Sequence, residues 1–237
     1  MSQTVQQFSM WSAFQLTSTL PLDKDERSEM IRAALREVSG GDNATSEDLE
    51  IVVHGWYDLS GLRSDADLLV WWHGPTLACV QRAFERLRAS DFGRCIDPVW
   101  SNVGLSGTTH VGSAHVPAFL AQASDAPYIT VYPVVRTSGW YQQPDSHQIE
   151  ALSEWASRVN TDDATRTSIV SGLGLGDYDW IVAIEAQEVT AIMDQIHTIR
   201  AGRSSAHLKA ETPAFTGRRI DLADWADRQP QSDFDLE

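Results

Sequence analysis

Two histidines five residues apart, His110 and His115, lie in the stretch "LSGTTHVGSAHVPAFLAQASDA" at 105–126, rich in Gly, Ser and Ala. Imidazole takes or gives a proton near neutral pH and is a common metal ligand. A loop that leads into a cavity suits either role, and an ordinary surface position suits a loop histidine equally. With a third ligand such as His207 or Glu185 the pair would hold copper or iron, which imidazole accommodates. Further on, "YITVYPVVR" at 128–136 reads as a strand. Alternation places Tyr128, Thr130, Tyr132, Val134 and Arg136 on one face and Ile129, Val131 and Val135 on the other. Tyr132 and Arg136 are then roughly 13 Å apart along the strand. A phenol gives up a proton or an electron, and a guanidinium forks onto a carboxylate. An amphipathic strand with one wet face has the same pattern. In "SHQIEALSEWASRVN" at 146–160, Ile149, Leu152, Trp155 and Val159 share one helix face that should point inward. Trp155 there either packs or replaces a residue that did chemistry. Trp180, in "YDWIVAIE", is a core residue by default.

These residues need elements to hold them. The chain reads as a strand at 4–17, a helix at 23–41 and two strands at 49–62 and 65–74. A helix at 75–90, with Pro75 in its first turn, and a strand at 96–106 complete the first half. The helix at 23–41 shows Met30, Ala33, Ala34 and Val38 on one face, and Gly40-Gly41 as its stop. The second half repeats the order: strand 127–136, helix 146–160, strands 165–177 and 178–187, helix 188–202, strand 212–220. "SGLRSDADLLVWW" from Ser60 echoes "SGLGLGDYDWIVAIE" from Ser171. A duplicated β-α-β-β-α-β unit follows. This is an α+β fold of two ferredoxin-like halves, with antiparallel sheets carrying helices on one face. The halves are 1–106 and 127–220, joined by a loop at 107–126. Residues 221–237 form an acidic tail, read as partly disordered and as a partner for Arg218 and Arg219.

The 237 residues suffice for one large domain or two small ones. A net charge of −15 with no basic stripe argues against nucleic-acid binding. No apolar run approaches the roughly 18 residues of a membrane span, and the N-terminus carries no basic start followed by an apolar stretch. Cys79 and Cys95 form no CxxC pair, so free thiols in a reducing cytoplasm are expected. Nine tryptophans are spread along the chain, most of them as core residues. Walker, HExxH, GxSxG and zinc-spacing motifs do not appear.

The segments "GWYDLSGLRSDADLLVWWHGPT", "PVWSNV", "AHVPAFL", "VYPVVR", "WY" at 140–141, "GLGLGDYDWIVAIEA" and "TPAFTGRR" resemble the chlorite dismutase-like superfamily. Within it the chain looks most like the actinobacterial coproheme decarboxylases, from about residue 5 to 220. The resemblance implies duplicated ferredoxin-like halves and pentameric rings. It implies coproheme in the C-terminal half, and peroxide-driven decarboxylation of two propionates. His115 matches the distal histidine, Tyr132 the radical-forming tyrosine, Arg136 the basic residue after it, and Trp180 the tryptophan of the "GDYEW"-type motif. Two positions depart. Where the branch reads like "LAEHGRMGR" this chain reads "LSEWASRVN", so Trp155 stands at the iron-ligating histidine. Where the branch reads like "EARRHVREE" this chain reads "RSSAHLKAE": His207 is kept, and Ser205 and Ala206 replace the basic pair that holds a propionate.

Indole offers iron no usable lone pair, and the axial ligand decides what a haem can do. Loss of a charged donor removes about 1.5–3 kcal/mol per hydrogen bond to a carboxylate. Trp155 is therefore expected to pack in space that a haem occupies in the branch. The expected function is a haem-independent oxidative step on a small molecule in specialised metabolism. His115 and Tyr132 would be catalytic, and Arg136, Trp155 and Trp180 would hold substrate. Copper or iron on His110, His115 and His207 is the metal version. A haem-binding peroxidase or decarboxylase, and a non-catalytic small-molecule scaffold, are the alternatives. The expected partners are a small molecule and further copies of the chain, with neither nucleic acid nor membrane.

Overall fold

The computed structural model describes residues 6–41, 50–107, 116–121, 124–159 and 164–233. The chain forms two compact units: Phe8–Ser101 with Arg219–Glu237, and Met1–Gln7 with Asn102–Arg218. We call them the N-terminal and C-terminal units.

The N-terminal unit begins with β1 (Phe8–Leu16), β2 (Leu20–Pro21) and α1 (Lys24–Val38). β3 (Val52–Asp58), β4 (Leu68–Gly74), α2 (Leu77–Ala89), α3 (Asp91–Arg94) and β5 (Ile96–Leu105) follow. β4 lies between β3 and β1 and is antiparallel to both. The C-terminal unit takes the end of β5, then α4 (Ala118–Ala121), β6 (Tyr128–Arg136), α5 (Ser138–Tyr141) and α6 (Asp145–Val159). β7 (Thr165–Ser171), β8 (Trp180–Ala186), α7 (Val189–Arg200), β9 (Leu208–Ala210) and β10 (Phe215–Ile220) complete it. β8 is antiparallel to β7 and β6. The far edge of β6 pairs with β10 over 128–131 and with β9 over 135–136. Both units thus follow the β-α-β-β-α-β order, and the fold is α+β.

The duplication extends to individual hydrogen bonds. Phe8 pairs with Gly74 and Phe14 with Leu68; Tyr128 pairs with Ala186 and Val134 with Trp180, in the same register. The residue before β4 and the residue before β8 tie those strands to β1 and β6 in the same way. The N–H of Leu16 donates to Asp67 Oδ2 at 2.8 Å, and that of Arg136 to Asp179 Oδ2 at 2.6 Å. Asp67 N–H donates to the Phe14 carbonyl and Asp179 N–H to the Val134 carbonyl. Gly61 and Gly174 hold φ of +77° and +78° in the two turns, backbone that L side chains rarely adopt. α1 and α6 both have 15 residues and bury the same spacing: Ile31, Ala34 and Val38 on one, Leu152, Trp155 and Val159 on the other. Trp155 thus holds the place that a small alanine holds in the other unit.

Several elements differ from the sequence reading. α2 starts after Thr76, whose hydroxyl accepts from Cys79 N–H at 3.2 Å, so Pro75 precedes the cap instead of opening the helix. On α1, Ile31 and Arg27 are buried while Met30 and Ala33 are half-buried. The tail is folded from 222 to 232. It forms α8 (Leu222–Ala226) and β11 (Gln231–Ser232), which lies parallel to β2. Trp225 is fully buried, and Arg27 forks onto Asp227 at 2.7 and 2.9 Å. An aromatic anchor and a buried cation account for order that acidity alone did not suggest. Arg219 donates to the His54 carbonyl and the Tyr57 hydroxyl. All nine tryptophans are buried, and both cysteines are buried free thiols. No helix among the described residues is long and apolar enough to cross a membrane.

His73 on β4 is buried, and burial lowers its pKa from 6.5 to about 4, with His54 adding repulsion. The unfolded chain then binds the proton more tightly than the folded one. Stability is fully present above pH 6.5 and falls as pH drops toward 4. Denaturant midpoints measured at pH 7 and pH 5 should diverge in the native protein, and His73→Gln should shrink the gap. Equal pH dependence in both would remove His73 as the cause.

Candidate functional site

The centre of the C-terminal unit is an aromatic stack. Trp155, from α6, lies on Trp180, from the start of β8, with centroids 4.8 Å apart and planes 24° from parallel. Trp140, from α5, meets Trp180 edge-on at 6.1 Å and 85°. Arg136 ends β6, and its guanidinium carbon sits 4.5 Å from the Trp140 ring and 4.2 Å from the Trp180 ring. This is cation–π packing inside a protein core. Its Nη1 donates to the Ser204 carbonyl, and its Nε has no partner among the described residues. Burial lowers the Arg136 pKa to about 10, partly offset by the Asp179 carboxylate.

The strand face expected to be wet is dry. β6 is buried on both faces, and Tyr132 packs in the core with Val134, Trp140 and Trp155. Its hydroxyl has no hydrogen-bond partner among the described residues, and burial raises its pKa. β6 carries structure on both sides and both edges, so alternation between apolar and polar residue types did not mark solvent.

Beside the stack is a cavity of about 400 Å³. Trp140, Tyr141, Ile149, Leu152, Leu173 and Trp180 line it. Trp180 is part of the wall, and Trp155, stacked on Trp180, is not. Ile149, expected to face inward with Leu152 and Trp155, is 63% exposed. It sits on the half of α6 that spans the cavity, while the half that follows packs.

The polar lining is Tyr141, Asp145, Gln148 and Asp179. Tyr141 donates its hydroxyl hydrogen to Asp179 Oδ1, while Asp179 Oδ2 accepts from Arg136 N–H. Burial, then the bond to Asp179, raises the Tyr141 pKa, so the phenol keeps its proton. This pair was not singled out from the sequence. The available signal was that "DADLL" and "YDWIV" place Asp67 and Asp179 at matching points, so a second partner on one of them marks a departure between repeats. A smaller cavity of about 230 Å³ lies on the other side of Trp140, lined in part by His147, Arg203 and His207.

Of the residues singled out for chemistry, His110 and His115 lie outside the described residues. Tyr132, Arg136, Trp155 and Trp180 converge in the core around the indole stack. Arg136 does not line the large cavity, so its geometry is that of a packed cation and not of an exposed carboxylate anchor. His207 is 5.9 Å from Trp140, ring to ring. Among the described residues no group of three His, Cys, Asp or Glu side chains is placed to hold a metal ion.

The chain is similar to known proteins along most of its length. The family model described as chlorite dismutase matches residues 24–220. The coproheme decarboxylase of Mycolicibacterium smegmatis is 40% identical over 177 residues, covering 74% of this chain and 77% of that one. A chlorite dismutase from Candidatus Nitrospira defluvii, solved in complex with imidazole, superposes with a TM-score of 0.77 at 18% identity and covers 94% of both chains. A mutant of that dismutase gives the same TM-score at 16% identity. The last two bear on the fold alone. With its shared fold, its doubled β-α-β-β-α-β plan and this sequence identity, the chain belongs to the chlorite dismutase family.

Proposed function

We propose that this chain is a haem-independent member of its family that takes a small organic molecule into the cavity beneath α6. The observation that carries this is the Trp155–Trp180 stack. An iron porphyrin needs a lone pair below the iron and a flat slot between helix and sheet. Trp155 supplies neither: its indole nitrogen is a donor, and its ring fills the slot against Trp180. The cavity lining adds a second mismatch. Coproheme carries four carboxylates, and the lining holds two carboxylates, Asp145 and Asp179, with no Lys, Arg or His. The described residues of this lining do not fit the group.

The chemistry open to the site is acid–base and positioning chemistry by side chains. Tyr141 donates its hydroxyl hydrogen to Asp179 at the cavity wall. An oxidative step on the bound molecule, as part of specialised metabolism, is the form of the reaction we favour. Its metal version would use His110 and His115 with His207, and elemental analysis of the purified protein for copper and iron checks it. Added ferric coproheme should leave the protein without a saturating Soret shift. A one-to-one complex with a sharp Soret band would favour the haem-dependent reading, which the 40% identity to a coproheme decarboxylase supports.

A further inference from the structure

The donors and acceptors around the 400 Å³ cavity identify the kind of molecule it takes, if the haem-independent reading holds. Three of the four acidic, phenolic and amide side chains in the wall, Tyr141, Asp179 and Gln148, can be followed to a partner. Tyr141, in the lining, has spent its only hydrogen on Asp179, so its oxygen is left as an acceptor. Asp179 is a carboxylate with lone pairs beyond the two it uses on Tyr141 and Arg136 N–H. Asp145, exposed at the start of α6, makes no hydrogen bond or ion pair among the described residues. Gln148 donates from Nε2 to the Gln143 carbonyl at 3.0 Å, which leaves its amide oxygen and one hydrogen. The side-chain balance is weighted heavily to acceptors. The remaining wall is the indoles of Trp140 and Trp180, each with one N–H, and the apolar side chains of Leu152, Ile149 and Leu173.

The charge of Arg136 does not reverse this. Its guanidinium is buried against the two indoles and bonded to the Ser204 carbonyl, outside the lining. It offsets Asp179 in part and leaves Asp145 uncompensated. A comparison between the repeats strengthens the case. Asp67 ties β4 to β1 in the N-terminal unit by accepting from Leu16 N–H, the one partner its side chain has among the described residues. This strand lock therefore does not require a phenol. Tyr141 is an addition to it in the unit that has the cavity.

We infer that the cavity binds a flat, cationic nitrogen compound, an aromatic amine or amidine whose N–H groups meet the Asp145 and Asp179 carboxylates. Aromatic walls accept its ring, and acceptor oxygens accept its hydrogens. A carboxylated molecule of the same shape meets repulsion and finds few donors.

Benzamidine and benzoate test this, because they share size and flatness and differ in charge. Titration of the full-length protein with each, followed by nitrogen–proton spectra of the tryptophan indoles, reads the site through Trp140 and Trp180. Benzamidine should shift both signals saturably and bind about tenfold tighter than benzoate, one charged hydrogen bond's worth of preference. Asp145→Asn, at an exposed position, should fold normally and weaken benzamidine about threefold while leaving benzoate no weaker. Benzoate binding as tightly as benzamidine, or neither probe moving the two indoles, overturns the inference. A protein that fails both probes and also fails to bind coproheme would overturn this inference and leave the haem-independent reading standing. A porphyrin complex would overturn that reading itself.

Discussion

Trp155→Ala should destabilise the protein by about 3–5 kcal/mol, the range for removing a buried large aromatic side chain. Trp155 is 3% exposed and fills the junction of α6 with the sheet, against Trp180, Leu152 and Val159. Ala34 shows what a small residue does at the matching place on α1, where the surrounding core is built to close around it. The core around Trp155 is built around an indole, so alanine leaves a void that the stiff β6–β8 ladder cannot collapse into. Ile149→Ala is the internal control. It lies on the same helix, carries a side chain that is 63% exposed, and should change stability by no more than about 0.5 kcal/mol. Denaturant midpoints for the two variants decide the matter. A near-neutral Trp155→Ala would mean that the slot is loosely filled and open to a larger guest.

The second large effect separates the two repeats. Asp179→Ala strips the acceptor from Arg136 N–H and from the Tyr141 hydroxyl, and removes the anion nearest a buried guanidinium. The loss should be about 2–4 kcal/mol, because a buried charge is left poorly compensated. Asp67→Ala removes the acceptor of one backbone N–H at the matching point between β1 and β4 and should cost about 1 kcal/mol. Similar losses in both variants would show that Tyr141 and Arg136 add nothing to the strand lock the two repeats share. Tyr141→Phe in the Asp179 series would then be expected to be silent as well.

The fold was largely legible from the sequence because the repeat is written in it. "SGLRSDADLLVWW" and "SGLGLGDYDWIVAIE" predict the same hairpin twice, and the second strand of each hairpin pairs in the same register with the first strand of its unit, β4 with β1 and β8 with β6. Helix faces were legible to within one position: Ala34 and Val38 were placed correctly, and Ile31 replaced Met30. Order in the tail was missed, because its acidity masks Trp225, and the chain that Trp225 packs against is distant in sequence. The site was only partly legible. Convergence of Tyr132, Arg136, Trp155 and Trp180 followed from the family resemblance and strand parity, but their exposure did not. Parity tells which residues share a face; it cannot tell whether a helix covers that face. Arg136 looked like an anchor because an arginine on a strand end ordinarily reaches solvent, and here two indoles enclose it. The Tyr141–Asp179 pair joins residues 38 apart, and no local pattern encodes that distance.

We propose that an indole has closed the porphyrin slot. A titration of the purified protein with ferric coproheme, followed at the Soret band, tests it most directly, with the Mycolicibacterium smegmatis coproheme decarboxylase in a parallel cuvette as the control. The stack of Trp155 on Trp180 predicts a spectrum that stays that of free coproheme at every ratio, and protein that leaves gel filtration without colour. A saturating one-to-one complex that survives the column would contradict it.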